Sequence, residues 1–281
     1  MPGKGQLYGG SKTSYRPSRS FADDPCHRSA AILSEKSNEE LADYVMKWHG
    51  HLTRWFGPRM DVAGKRVLVI GSQYGPELLW CLRNGAGEVI GLDPEGCRPD
   101  PLLLALERVG LSSRRDDFRM IKASTLDAGD LGSFDYVMSN NVFEHVQGLS
   151  HTLGSIARFV PEVGGRIVVF ADPLFLSSQG HHTRLGAWQH LTMRQDEIRD
   201  LVPAAQFEAY RTALNGMTIT SFLEAVREAG LMLLDLAIVP DREISRFGSI
   251  WPHIPPGLKP LDLCLEGLCC TLVFPHNLAA G

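Results

Sequence analysis

Lys65-Arg66-Val67-Leu68-Val69-Ile70-Gly71-Ser72-Gln73-Tyr74-Gly75-Pro76-Glu77 is the stretch whose reading decides the fold. A short apolar run breaks into glycine-spaced residues, and a helix-like segment follows at once. Val89-Ile90-Gly91-Leu92-Asp93 repeats the pattern as a buried strand that ends on a carboxylate. Strand, glycine turn, helix, strand and acid is how an α/β sheet builds a nucleotide pocket. Glycine lets the backbone approach the ligand, and the acid at the next strand's end accepts from ribose hydroxyls. The pair of segments implies an adenosine-containing cofactor without saying which.

Outward from that stretch the chain alternates. Strands are expected at about 66–70, 88–92, 118–123, 134–139 and 166–170, with helices between them at about 78–82, 102–109 and 150–159. Alternation of this kind implies a parallel sheet with helices on both faces. Two closing strands are expected at 231–239 and 268–274, after a helix that Ser221 and Glu224 would cap as a box and Gly230 would end. The adjacent Cys269 and Cys270 then read as packing residues in the last strand. On the N-terminal side, Leu41, Tyr44, Val45, Trp48, Leu52 and Trp55 recur at helical spacing. They predict one helix lying over the cofactor domain, in an N-terminal helical lid at 26–60. His49 and His51, two apart on it, do not share a face, which argues against a metal pair. Residues 1–25 are poor in aliphatic side chains and read as a flexible arm. The domain proper is expected over 61–281, with a long lid insertion at 172–215, because loops of that length in compact domains are usually functional.

Bulk properties exclude several classes. With 281 residues, 44% of them hydrophobic, the chain can bury a sizeable core. A net charge of −4 gives no concentrated basic surface for nucleic acid. No apolar run approaches the roughly 20 residues that span a bilayer, and no secretory signal is evident. Six cysteines without metal-finger spacing fit reduced thiols and a cytoplasmic location.

Phe134-Asp135-Tyr136-Val137-Met138-Ser139-Asn140-Asn141-Val142-Phe143-Glu144-His145 closely resembles the FDxVxSxxVxEH pattern of the class I S-adenosylmethionine-dependent methyltransferases. The glycine turn resembles their first motif, Asp93 their ribose-binding acid, and Pro161-Glu162-Val163-Gly164-Gly165 the turn before their fifth strand. The resemblance covers roughly 60–175, and 215–275 fit its ending. It implies a Rossmann-like seven-stranded, mostly parallel sheet with the last strand antiparallel. A narrower similarity rests on Asp172-Pro173-Leu174-Phe175, Gly180-His181-His182, Trp188-Gln189-His190-Leu191 and Leu214-Asn215-Gly216-Met217-Thr218. It is to bacterial methyltransferases found with glycan and small-molecule biosynthesis. One departure stands out, because Val69 occupies the position where the superfamily has an acid that helps hold the cofactor's amino-acid moiety. Glu77 or the Gln73 amide is placed to compensate.

The resemblance implies S-adenosyl-L-methionine as cofactor, S-adenosyl-L-homocysteine as product, and a small-molecule or glycan hydroxyl as acceptor. Gly71, Ser72, Gln73 and Gly75 would line the methionine side, Asp93 the ribose, Pro94 the adenine, and Ser124 and Thr125 its edge. Asn140 would sit near the sulfonium. A hydroxyl acceptor must lose a proton, and neutral histidine is the natural base near pH 7. His145, His181, His182 and His190 are the candidates, the alternative being that the last three pin the lid. Trp188 is either a platform for a ring or a buried lid anchor. No metal is assigned, although His181, His182 and His190 with Asp172 or Glu144 offer ligands on paper. Two other readings stay open: a catalytically silent partner or regulator of the same fold, motivated by Val69, and an NAD-dependent oxidoreductase. Oligomeric state is not legible.

Overall fold

The structure is a computed structural model that describes residue 33 and residues 35–180, 185–212 and 214–275. The expected arm at 1–25 and the pair His181 and His182 therefore lie outside the described residues.

Helix α1 (Asn38–Lys47) opens on a capping box in which the Ser37 hydroxyl accepts from the Glu40 amide and the Glu40 carboxylate accepts from the Ser37 amide. Leu41, Ala42 and Val45 form its buried stripe. The single helix expected here is two, because Trp48 (φ −71°, ψ −12°) interrupts the ladder before α2 (His49–Phe56). The break lets α2 bury Leu52 and Phe56 while His51 and Trp55 meet the ring of Phe170.

The remaining elements follow the sequence pattern closely: β1 (Arg66–Ile70), α3 (Pro76–Arg83), β2 (Glu88–Leu92), α4 (Asp100–Arg108), β3 (Phe118–Ile121), β4 (Tyr136–Asn140), α5 (Leu149–Ala157) and β5 (Arg166–Ala171). After β5 come three short helices, α6 (Gln189–Thr192), α7 (Gln195–Leu201) and α8 (Ala204–Thr212), then α9 (Ile219–Glu228) and β6 (Met232–Pro240). Helices α10 (Phe247–Ile250) and α11 (Pro260–Leu263) precede β7 (Leu265–Val273).

The sheet has seven strands in the order β3-β2-β1-β4-β5-β7-β6. β3 to β5 run parallel, and β7 inserts antiparallel between β5 and β6. Strand side chains alternate between two cores. Val67 and Val69 pack with α1–α4, while Leu68 and Ile70 pack with α5 and α9. Both faces are covered, as a mostly parallel sheet requires.

Two local expectations are corrected. The box that starts α9 is Thr218 with Ser221, since the helix begins at Ile219 and Ser221 occupies its third position instead of its cap. The post-β5 insertion is not a plain loop. Ile198, Val202, Phe207, Tyr210 and Leu214 give it a small core of its own, which is enough to hold α7 and α8 together.

Candidate active site

The site lies where the C-terminal ends of β1, β2 and β4 meet the glycine turn, at the crevice that α/β sheets reserve for ligands. Gly71 (φ +79°) and Gly75 (φ +88°) adopt left-handed backbone that L side chains avoid. A Cβ at Gly71 would run into the Val142 side chain, and one at Gly75 would come within 2.9 Å of Leu102 Cδ2. Asp93, just past β2, braces the turn: its carboxylate accepts from the Gln73 amide at 3.2 Å and the Glu95 amide at 3.0 Å. Burial raises its pKa, and these amide bonds oppose the rise. The Gly96 amide bears on the same carboxylate, which keeps one lone pair for a further donor.

The other expected cofactor contacts divide. The Ser72 side chain is fully buried behind the turn, 3.5 Å from Cys97 Sγ, and its backbone is bonded too, the amide to the Leu92 carbonyl and the carbonyl to the Gly75 amide. Pro94 is exposed beside Asp93. The Ser124 hydroxyl donates to Asp127, and Thr125 Oγ1 is 2.6 Å from Ser155 Oγ on α5. Both hydroxyls are thus already engaged.

Asn140, the last residue of β4, is central. Its Nδ2 donates to Glu77 Oε1 at 2.9 Å, and its Oδ1 lies 3.2 Å from His51 Nε2. Glu77 stands in the first turn of α3 directly after the glycine turn and is 4% exposed. Burial pushes its carboxyl up to about 7, against the bonds from its own amide and from Asn140. Among the described residues no cation forms an ion pair with it. His51 is half-buried, edge-on to Phe170 (4.7 Å between ring centroids) and Trp48 (5.0 Å). Burial lowers its pKa; the bond to Asn140 opposes this and Arg54 adds to it. The imidazole is therefore neutral at physiological pH.

Of the four histidines chosen from sequence, His145 and His190 fall among the described residues. His190 is 1% exposed, with Nε2 2.8 Å from the Phe175 carbonyl oxygen and its ring edge-on to Phe175. Burial drives its pKa to about 4. A histidine so enclosed pins the lid. Trp188, fully buried, donates from Nε1 to the Leu263 carbonyl at 3.3 Å and packs on Phe247, as a lid anchor does. His145 is half-buried in the turn after β4, its amide bonded to the Val142 carbonyl. Sequence reasoning passed over His51. The available signal was its spacing, three residues after Trp48 and four before Trp55, which sets it on the aromatic stripe of the N-terminal lid.

A second group of acids lies beside β5. Glu144 is 1% exposed, both its carboxylate oxygens are without a hydrogen-bond partner among the described residues, and burial raises its pKa to about 8. Burial, then Glu266, raises Asp172 to about 7, while Arg242 pairs with Glu266. Among the described residues no three His, Cys, Asp or Glu side chains converge as a metal site. Nor, among them, is any helix long and apolar enough to cross a membrane. Burial raises the Cys269 and Cys270 thiols, both packed inside β7.

Residues 38–236 match the family model described as a methyltransferase domain. That match decides between the methyltransferase and oxidoreductase readings. An S-adenosylmethionine-dependent methyltransferase from Mesorhizobium loti superposes with a TM-score of 0.50 at 16% identity, covering 82% of this chain and 99% of that one. The geranyl diphosphate C-methyltransferase of Streptomyces coelicolor A3(2), solved with Mg2+, geranyl diphosphate and S-adenosyl-L-homocysteine, gives a TM-score of 0.53 at 14% identity. That alignment covers 95% of this chain and 92% of the other. At such identities the likeness is one of fold. No curated protein sequence matches the chain.

Proposed function

We propose that the acceptor is a hydroxyl group of a small molecule or glycan, on the premise that this chain belongs to the methyltransferase domain family and is an S-adenosylmethionine-dependent methyltransferase. The cofactor, when bound, supplies an electrophilic methyl group on a sulfonium. The strand ends fit such a molecule. Asp93, just past β2, keeps a lone pair for a ribose hydroxyl, and Glu77 is a buried carboxyl with no cation paired to it among the described residues.

The observation that carries the hydroxyl reading is His51. A neutral imidazole stands at the end of β4, walled by Trp48 and Phe170, in hydrogen-bond contact with Asn140. A hydroxyl is a poor nucleophile until its proton has somewhere to go, and a positioned base typically contributes about 10²–10⁴-fold. Trp48, Trp55 and Phe170 provide apolar surface around that base, and holding the acceptor in line against them supplies orientation. We assign His51 as the base and the lid of α1–α2 as one wall of the acceptor pocket.

The test is product chemistry. The protein is incubated with S-adenosylmethionine and matched pairs of alcohols, phenols or saccharides and their amine analogues, and products are followed by mass and NMR. A methyl ether formed one-to-one with S-adenosylhomocysteine is expected. Transfer confined to nitrogen or carbon, with the matched hydroxyl untouched, overturns the reading.

A further inference from the structure

Glu77 poses a problem that hydroxyl chemistry leaves unsolved. A carboxylate removed from water without a cation is unfavourable, and proteins keep such groups where a ligand completes the charge. Glu77 is 4% exposed, and among the described residues its one side-chain partner is the amide of Asn140 at 2.9 Å. Meanwhile Val69, where the resemblance expects an acid, is fully buried in the α1–α4 core. The sheet order β2-β1-β4 places one carboxylate on each side of the glycine turn: Asp93 past β2, and Glu77 bonded to the end of β4. A nucleoside with an amino-acid arm, laid with its ribose at Asp93, brings that arm to Glu77.

We infer that Glu77 replaces the missing acid as the counter-charge for the cofactor's α-ammonium, and that this pairing fixes the protonation pattern of His51 through Asn140. An ionised carboxylate only accepts hydrogen bonds, so Asn140 must turn its NH2 toward Glu77 and its Oδ1 toward His51. His51 Nε2, 3.2 Å from that oxygen, must then carry the hydrogen. Nδ1 is left bare, with its lone pair available to accept a proton. A protonated Glu77 relaxes every step of this line, because it can donate as well as accept. Burial already holds Glu77 near 7, so a cation beside it decides its charge at neutral pH. The other titratable or charged groups bearing on the line are Cys81, one turn along α3, and Arg54 on α2 beside His51. Glu77 and Asn140 are in this sense positioning residues for His51, and Glu77 is also a binding residue.

The acceptor does not enter the test, so the hydroxyl reading can fail while this inference stands. Binding of S-adenosylhomocysteine and of 5′-methylthioadenosine, which lacks the amino-acid arm, is measured by calorimetry on the full chain. Glu77→Gln is expected to weaken S-adenosylhomocysteine about tenfold or more and to leave 5′-methylthioadenosine unchanged, whereas Asp93→Asn weakens both. The unaltered chain supplies two readouts that need no variant. At pH 6.5, S-adenosylhomocysteine should release a proton, seen as a dependence of the binding heat on buffer, and 15N spectra should show His51 moving to the Nε2–H tautomer. Equal weakening of both probes by Glu77→Gln, no weakening of either, or binding without proton release and tautomer change overturns the inference.

Discussion

Two parts of this molecule set a tryptophan close before a histidine, and they use the pair in opposite ways. In the N-terminal lid, Trp48 and His51 are half-buried, and the imidazole reaches Asn140 at the end of β4. In the post-β5 lid, Trp188 and His190 are 0% and 1% exposed and bond to the carbonyls of Leu263 and Phe175. The lesson is that a histidine's environment decides whether its lone pair is available. The histidine-rich segment that attracts attention in the sequence contributes, through His190, a fastening. The pair that spacing dismissed as metal ligands contributes an imidazole at the strand ends.

The comparison breaks most easily on stability. Trp188→Ala should cost about 3–5 kcal/mol in denaturant unfolding, since it empties a fully buried site, while Trp48→Ala should cost only ~1 kcal/mol. Equal costs would mean that both tryptophans are anchors. On activity the order reverses. His51→Gln should lower transfer by about a hundredfold or more, with a melting temperature within a few degrees of the parent. Because burial lowers the His51 pKa below its usual 6.5, the acid limb of the pH–rate profile should fall below pH 6.5 and should be missing in the variant. His190 should report through stability alone. Folded it protonates near 4, unfolded near 6.5, so the unfolded chain binds the extra proton first. Stability from this residue is complete above pH 6.5 and is lost as pH falls toward 4, by ~3 kcal/mol in all. His190→Gln should flatten that slope relative to the parent between pH 6.5 and 4. The smallest effect is at the entry to the N-terminal lid. Ser37→Ala removes the cap of α1 and should cost about 1 kcal/mol.

How much of this was legible depended on whether the signal was local. The glycine turn, the five parallel strands and the acid after β2 could be read directly, because strand periodicity and a change of backbone handedness at glycine are properties of a few neighbouring residues. The antiparallel last strand came through the family resemblance. The break at Trp48 was invisible, since helical spacing continues across it and only packing against Phe170 explains it. The box of α9 was misplaced by one turn because Thr218 and Ser221 offer hydroxyls at the same spacing as Ser221 and Glu224. The line from Glu77 through Asn140 to His51 was out of reach for a different reason. Its members are separated by 63 and 89 positions, and no pattern within either segment refers to the other.

The place of β7 has a consequence for how the chain is made. β6 pairs with β7 and with no other strand among the described residues, yet it is synthesised first. At a synthesis rate of roughly 5–20 residues per second, it waits a second or more with its hydrogen-bonding edge uncovered. The later strand, β7, then goes to the interior, where all nine of its residues are buried. A stop codon before residue 265 would remove no dispensable tail. It would strip β5 of its neighbour on one side and leave β6 without a partner strand among the described residues.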